Sequence, residues 1–160
     1  MTDQSIRTAL VGCGYWGPNL ARNIAANSAM SLAAICDQSA AVRDEFAKRY
    51  PEAAVFDTTE SLLADETIDA VVLATPSGLH YQQALETLEA GKHVMVEKPL
   101  SHTVAEASEL IDAAASRDRI LMVGHTFLYN NIVQDVKTRI DSGELGDVLY
   151  AYAQRLNLGR

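Results

Sequence analysis

Apolar residues in this chain gather in short runs, separated by stretches in which they recur at helical spacing. The runs are Ala9-Leu10-Val11 and residues 32–36, 54–56, 68–74, 93–96 and 120–123. After the first run, Leu20, Ala21, Ile24 and Ala25 mark one helix face, and Ala40, Val42, Phe46 and Ala47 mark the next. Leu62 with Leu63, then Ala84, Leu85 and Leu88, then Leu110 with Ile111 continue the alternation. Six strands joined by helices predict an α/β fold, a doubly wound parallel sheet with right-handed crossovers and Rossmann strand order 3-2-1-4-5-6. Residues 68–74 are almost wholly apolar, as a central strand covered on both faces requires.

The boundaries carry matching signals. Ser39 is placed to cap the second helix, and Pro51 closes it. Thr58 or Thr59 opens the third, Gly91 ends the fourth, and Thr103 with Glu106 forms a capping-box pattern before the fifth. Past residue 124 the pattern changes. Val133, Val136, Lys137 and Ile140 predict a helix ended by Gly143, and residues 148–153 read as the opening strand of a second sheet. The chain is therefore divided into a dinucleotide-binding domain over 1–124 and the incomplete start of an α+β domain over 125–160. A lone strand exposes unpaired backbone groups, so self-association through residues 148–156 is expected.

The chemistry begins at the end of the first run. Gly12, Gly14 and Gly17 are spaced G-x-G-x-x-G, and Pro18 follows at the start of the helix, where its missing N–H is no loss. The first glycine permits a tight turn, the second lets backbone approach a pyrophosphate, and the third lets helix and strand lie close. The helix N-terminus then faces the phosphates. Asp37 ends the second run, 20 residues after Gly17, where an acid accepts hydrogen bonds from the adenosine ribose. It also repels a 2′-phosphate, so NAD is expected over NADP. Tyr15 and Trp16 lie inside the turn and either contact the cofactor or pack on the first helix. The topology brings Gly12 to Gly17, Asp37, residues 75–80 and Glu97-Lys98-Pro99 to the same end of the sheet.

Charge and composition narrow the partners. The net charge of −8 argues against nucleic acid and anionic membrane. No apolar run approaches the ~18 residues of a membrane span, and Met1 to Ser5 has no basic segment followed by an apolar one, so a cytoplasmic protein is expected. Cys13 and Cys36 read as reduced, buried residues at the ends of neighbouring strands. Neither they nor the four histidines have zinc-ligand spacing, and no metal is expected.

Residues 90–99, Ala-Gly-Lys-His-Val-Met-Val-Glu-Lys-Pro, resemble the hallmark of the Gfo/Idh/MocA oxidoreductase family. Residues 74–80 resemble that family's Thr-Pro loop, with Ser77 where asparagine is commoner, and residues 143–146 resemble its lead into a C-terminal sheet. The resemblance implies an NAD(P)-dependent dehydrogenase acting on a hydroxyl carbon of a sugar, cyclitol or nucleotide sugar. It puts Lys98 beside the nicotinamide and the substrate carbinol as the catalytic residue. It puts Glu97 near the nicotinamide ribose, and Thr75, Pro76 and His80 along the cofactor cleft. An ammonium at Lys98 suits that chemistry, because it can stabilise a forming alkoxide. The family's second domain supplies most substrate contacts, an acid/base motif and an oligomerisation sheet. None of these lies in the 160 residues. The chain alone is expected to bind NAD(H) without turnover, and to act as a homo-oligomer on a polyol or nucleotide sugar when the second domain is present. The alternative is a non-catalytic NAD(H)-binding module.

Overall fold

The computed structural model describes residues 5–154, which fall into two compact units meeting between Gly124 and His125. In the first unit, six strands form one parallel sheet in the order β3-β2-β1-β4-β5-β6. The strands are β1 (Ile6–Val11), β2 (Met30–Cys36), β3 (Ala54–Phe56), β4 (Ala70–Leu73), β5 (His93–Val96) and β6 (Leu121–Val123). Between them run α1 (Gly17–Ala25), α2 (Ala40–Arg49), α3 (Thr59–Leu63), α4 (His80–Glu89) and α5 (Val104–Ser116). The sheet is the doubly wound one that the sequence predicts. β4 is shorter than the apolar run that encodes it, whereas β2 begins earlier because Met30 and Ser31 pair with Ile6 and Arg7.

Side chains alternate across the pleat, so neighbours in β1 serve opposite layers. Ala9 and Val11 join Val71 and Leu73 beneath Leu62, Leu88 and Leu110. Leu10 and Val72 face the other way, onto Ala21 and Ile24 of α1 and Phe46 of α2. A fully buried leucine contributes ~1.5–3 kcal/mol, and Leu10, Leu62, Leu73, Leu88 and Leu110 are all fully buried. Ile111 turns outward, because consecutive helical side chains point about 100° apart. The caps form as their sequences require. Ser39 Oγ accepts from the Val42 N–H, and Thr58 Oγ1 from the Ser61 N–H. Thr103 and Glu106 close a reciprocal capping box. Gly91 takes φ +73° just past α4, a conformation that favours glycine.

The second unit contains a 3-10 turn at Thr126–Tyr129 and α6 (Asn131–Asp141). Asn130 Oδ1 caps α6, accepting from Ile132 and Val133 at 3.0 and 3.3 Å. Residues 148–153 form no ladder, contrary to the expected strand. A strand is held by its neighbour's N–H and C=O groups, and among the described residues no segment pairs with this one. Leu149 and Tyr150 are consequently 89% and 87% exposed. Residues 155 and 156, part of the expected self-associating edge, lie outside the described residues. Among the described residues no helix is long and apolar enough to cross a membrane.

Candidate functional site

The turn after β1 is shaped by what its glycines exclude. Gly12 has φ +87°, and a Cβ there would come within 2.7 Å of the Ala74 carbonyl carbon and the Thr75 nitrogen. Only a residue without a side chain lets the turn rest on the loop after β4. A Cβ on Gly17 would meet the Gly12 oxygen at 2.9 Å. Around Gly14 nothing lies within 4 Å of that position, so its bare backbone faces open space. Trp16 precedes α1 without a side-chain cap, leaving the first N–H groups of α1 free of one.

That open space belongs to a cavity of about 600 Å³ at the carboxyl ends of β1, β2 and β4. Gly12, Gly14, Tyr15 and Trp16 form one wall, and Thr75 and Pro76 another. Asp37 lies at its rim, with Oδ2 accepting from the Cys13 N–H at 2.8 Å and Oδ1 from the Ser39 N–H at 2.9 Å. The carboxylate thus fixes the glycine turn. Each oxygen has a second lone pair for a further donor, since an ionised carboxylate has about four acceptor sites. Tyr15 and Trp16 meet edge to face, with ring centroids 5.5 Å apart. A shallower hollow of similar volume lies at the opposite end of the sheet. There Arg7 is bonded to Thr67 and Asp69, and no glycine turn or helix start converges.

Leu79, within the expected 75–80 segment, also lines the cavity, whereas the sequence misses Gln38, Asp57, Thr58, Thr59 and Gln83. Asp57 follows β3 as Asp37 follows β2, and Cys36 is in register with Phe56. The predicted strand order contains that neighbourhood, and it is the signal that would have found Asp57. Gln83 shows itself only through partners. Its Oε1 accepts from the Thr75 hydroxyl at 2.6 Å, and its Nε2 donates to Thr59 Oγ1 at 3.2 Å. Arg43 is turned onto the backbone, donating from Nη1 to the carbonyls of Asp37 and Gln38 at 2.8 and 3.0 Å.

Gly17, His80, Glu97 and Lys98 do not line this cavity. His80 is buried beneath it, 1% exposed, with Nε2 at 2.8 Å from the Thr75 oxygen and Nδ1 at 2.6 Å from the Pro99 oxygen. Glu97 is 8% exposed and sits where Gly124 leaves room, since a Cβ on Gly124 would lie 3.3 Å from its carboxyl group. Lys98 is exposed just past β5, and makes no ion pair among the described residues. The hallmark stretch 90–99 therefore serves two ends of the sheet. At the amino end, Lys92 is buried and donates to the carbonyls of Asp65 and Ile68 at 2.7 and 3.0 Å. Burial pulls its pKa down, against the pull of Asp65 and Asp69. At the carboxyl end stand Glu97 and Lys98.

The model of an oxidoreductase family with an NAD-binding Rossmann fold matches residues 6–125. Inositol 2-dehydrogenase of Rhodococcus jostii (strain RHA1) is 33% identical over 154 residues, 95% of this chain and 42% of that protein. The WlbA dehydrogenase from Bordetella pertussis, solved with NADH and UDP-GlcNAcA, superposes with a TM-score of 0.84 at 34% identity, covering 89% of this chain and 44% of that one. A 3-ketoreductase from Actinomadura kijaniata, solved with TDP-benzene and NADP, gives 0.81 at 27% identity, covering 88% and 44%. The chain spans less than half the length of each of these three proteins.

Proposed function

The chain belongs to the Gfo/Idh/MocA oxidoreductase family, and on that premise we propose that it is the cofactor half of an NAD-dependent dehydrogenase. The substrate is a sugar, cyclitol or nucleotide sugar oxidised or reduced at a hydroxyl carbon. The observation that carries the reading is the bare backbone of Gly14 facing a cavity that Asp37 borders. With no side chain at Gly14, a pyrophosphate can approach the turn's backbone, beside the amino end of α1 where the helix dipole favours an anion. The second lone pairs of Asp37 suit the ribose hydroxyls. A bound nicotinamide dinucleotide supplies the redox equivalent.

Lys98 stands past the next strand, exposed, where its ammonium would polarise a substrate hydroxyl and stabilise negative charge on that oxygen. Glu97, nearly buried beside it, accepts from the Lys98 N–H at 3.3 Å and orders the backbone there. The remaining substrate contacts belong to a further portion of the protein, which would also carry the assembly into a homo-oligomer.

Two features favour NAD over NADP. Asp37 and Asp57 line the same cavity, and both carboxylates repel a 2′-phosphate. Arg43, the nearby cation, already donates to two carbonyls. Calorimetric titration of the 160-residue chain with both dinucleotides tests the reading. NAD should bind at least ~10-fold tighter, a difference of about 1.4 kcal/mol. Equal affinities would overturn the preference, and no binding of either would overturn the function.

A further inference from the structure

We propose that Asp57 selects the base of the dinucleotide, its carboxylate accepting from the 6-amino group of adenine. The inference rests on the function proposed above and assigns the outer end of the same cavity. Val11, Cys36 and Phe56 form one register row across β1, β2 and β3. Gly12, Asp37 and Asp57 each lie one residue beyond it, and the row continues through them. The Gly12 N–H donates to the Cys36 oxygen at 2.9 Å, and the Asp37 N–H to the Phe56 oxygen at 3.3 Å. Neighbouring strands lie ~4.8 Å apart, so Asp57 stands two spacings, ~10 Å, from the turn that would meet the phosphates. In the adenosine half of a dinucleotide, pyrophosphate, ribose and base follow one another in that order. With the first at Gly14 and the second at Asp37, the third reaches the end of β3.

The polar side chains around Asp57 are already engaged. Thr58 Oγ1 accepts from the Ser61 N–H and its hydroxyl donates to Ser61 Oγ, while Gln83 spans from Thr75 to Thr59. The Asp57 carboxylate lines the cavity and makes no hydrogen bond or ion pair among the described residues. Its charge reaches the Cys36 thiol, another part of the cavity wall, and helps to raise that pKa. A carboxylate at neutral pH only accepts hydrogen bonds. Adenine offers it an amino group at ring position 6. A 6-oxo purine offers an oxygen there, and the lone pairs of the two groups repel. Pro76 and Leu79 supply apolar surface at the same cavity that suits either ring, so the choice falls to the group at position 6.

The test is calorimetric titration of the 160-residue chain with NAD and with nicotinamide hypoxanthine dinucleotide, which carries the 6-oxo purine in place of adenine. NAD should bind about fivefold tighter, the scale of one net hydrogen bond. Asp57→Ala should erase that ratio. Asp57→Asn, whose amide can also donate, should move it towards the hypoxanthine form. Asp57 is exposed and unbonded, so both variants should melt with the wild type. A ratio that survives in both variants, or variants that lose affinity for the two dinucleotides equally, would overturn the assignment. Equal binding of the two by the wild type would overturn it as well and leave the cofactor reading standing. No binding of either would overturn both.

Discussion

Asp37 holds the glycine turn through the Cys13 N–H and its own loop through the Ser39 N–H, so the acid that would meet a ribose also shapes the turn that would meet the phosphates. The glycines divide the same labour, and their substitution should separate folding from binding. Gly12→Ala places a methyl group 2.7 Å from backbone atoms of Ala74 and Thr75 at φ +87°. It should cost roughly 2–3 kcal/mol of stability. Gly14→Ala meets nothing in the protein. It should leave the melting temperature unchanged and weaken NAD at least ~10-fold, because the methyl group fills the space assigned to the pyrophosphate. Thermal denaturation beside calorimetry reads both. A Gly14→Ala chain that binds NAD normally would contradict the placement of the phosphates.

At the level of strands and helices, the sequence is most legible where local chemistry decides the outcome. The apolar runs around Leu10, Ile35 and Val72, the caps at Ser39 and Thr103 and the stop at Gly91 each act within a few residues. Residues 148–153 are misread because strand-like composition needs a partner to become a strand. Asp57 and Gln83 escape because their place in the cavity depends on which strands and helices lie side by side. The burial of His80 is hidden for the same reason.

The ends of β1 and β2 also carry a pH signature. Burial, aided by Asp37, pushes the Cys13 thiol up to about 12 and the Cys36 thiol to about 11, from the ordinary 9.0. The unfolded chain therefore loses these protons first. Stability from this source is fully present below pH 9.0 and falls as pH rises from there, to about 11 for Cys36 and about 12 for Cys13. Urea melts across that window should show a falling midpoint, and the fall should be shallower in a Cys13→Ala, Cys36→Ala double variant. Parallel slopes would mean that the thiols ionise as freely in the fold as outside it.

For the molecule as a whole, the proposed function makes the cofactor half and the catalytic step separable. Every residue assigned to the dinucleotide precedes residue 100, and the chain spans 42% of the length of the Rhodococcus jostii inositol 2-dehydrogenase. In a protein carrying that further length, Lys98→Met should lower kcat on the order of 10²–10³-fold, the scale of removing one group that stabilises developing charge. NAD affinity should stay the same, because Lys98 lies outside the cavity. Steady-state kinetics with a polyol substrate, beside an NAD titration, make the comparison. A variant that keeps its saturated rate and loses cofactor affinity would make Lys98 a binding residue.

β1 precedes both of its neighbours in the chain, yet it sits mid-sheet between β2 and β4. Val11 finds its neighbour Cys36 soon after synthesis, but its other neighbour, Leu73, is added about 60 residues later. At ~5–20 residues per second, that is ~3–12 s during which one flank of β1 has nothing to bond. The nascent chain must therefore carry an apolar, half-paired strand away from the ribosome. That flank of β1 remains an unpaired, aggregation-prone edge until β4 has been translated.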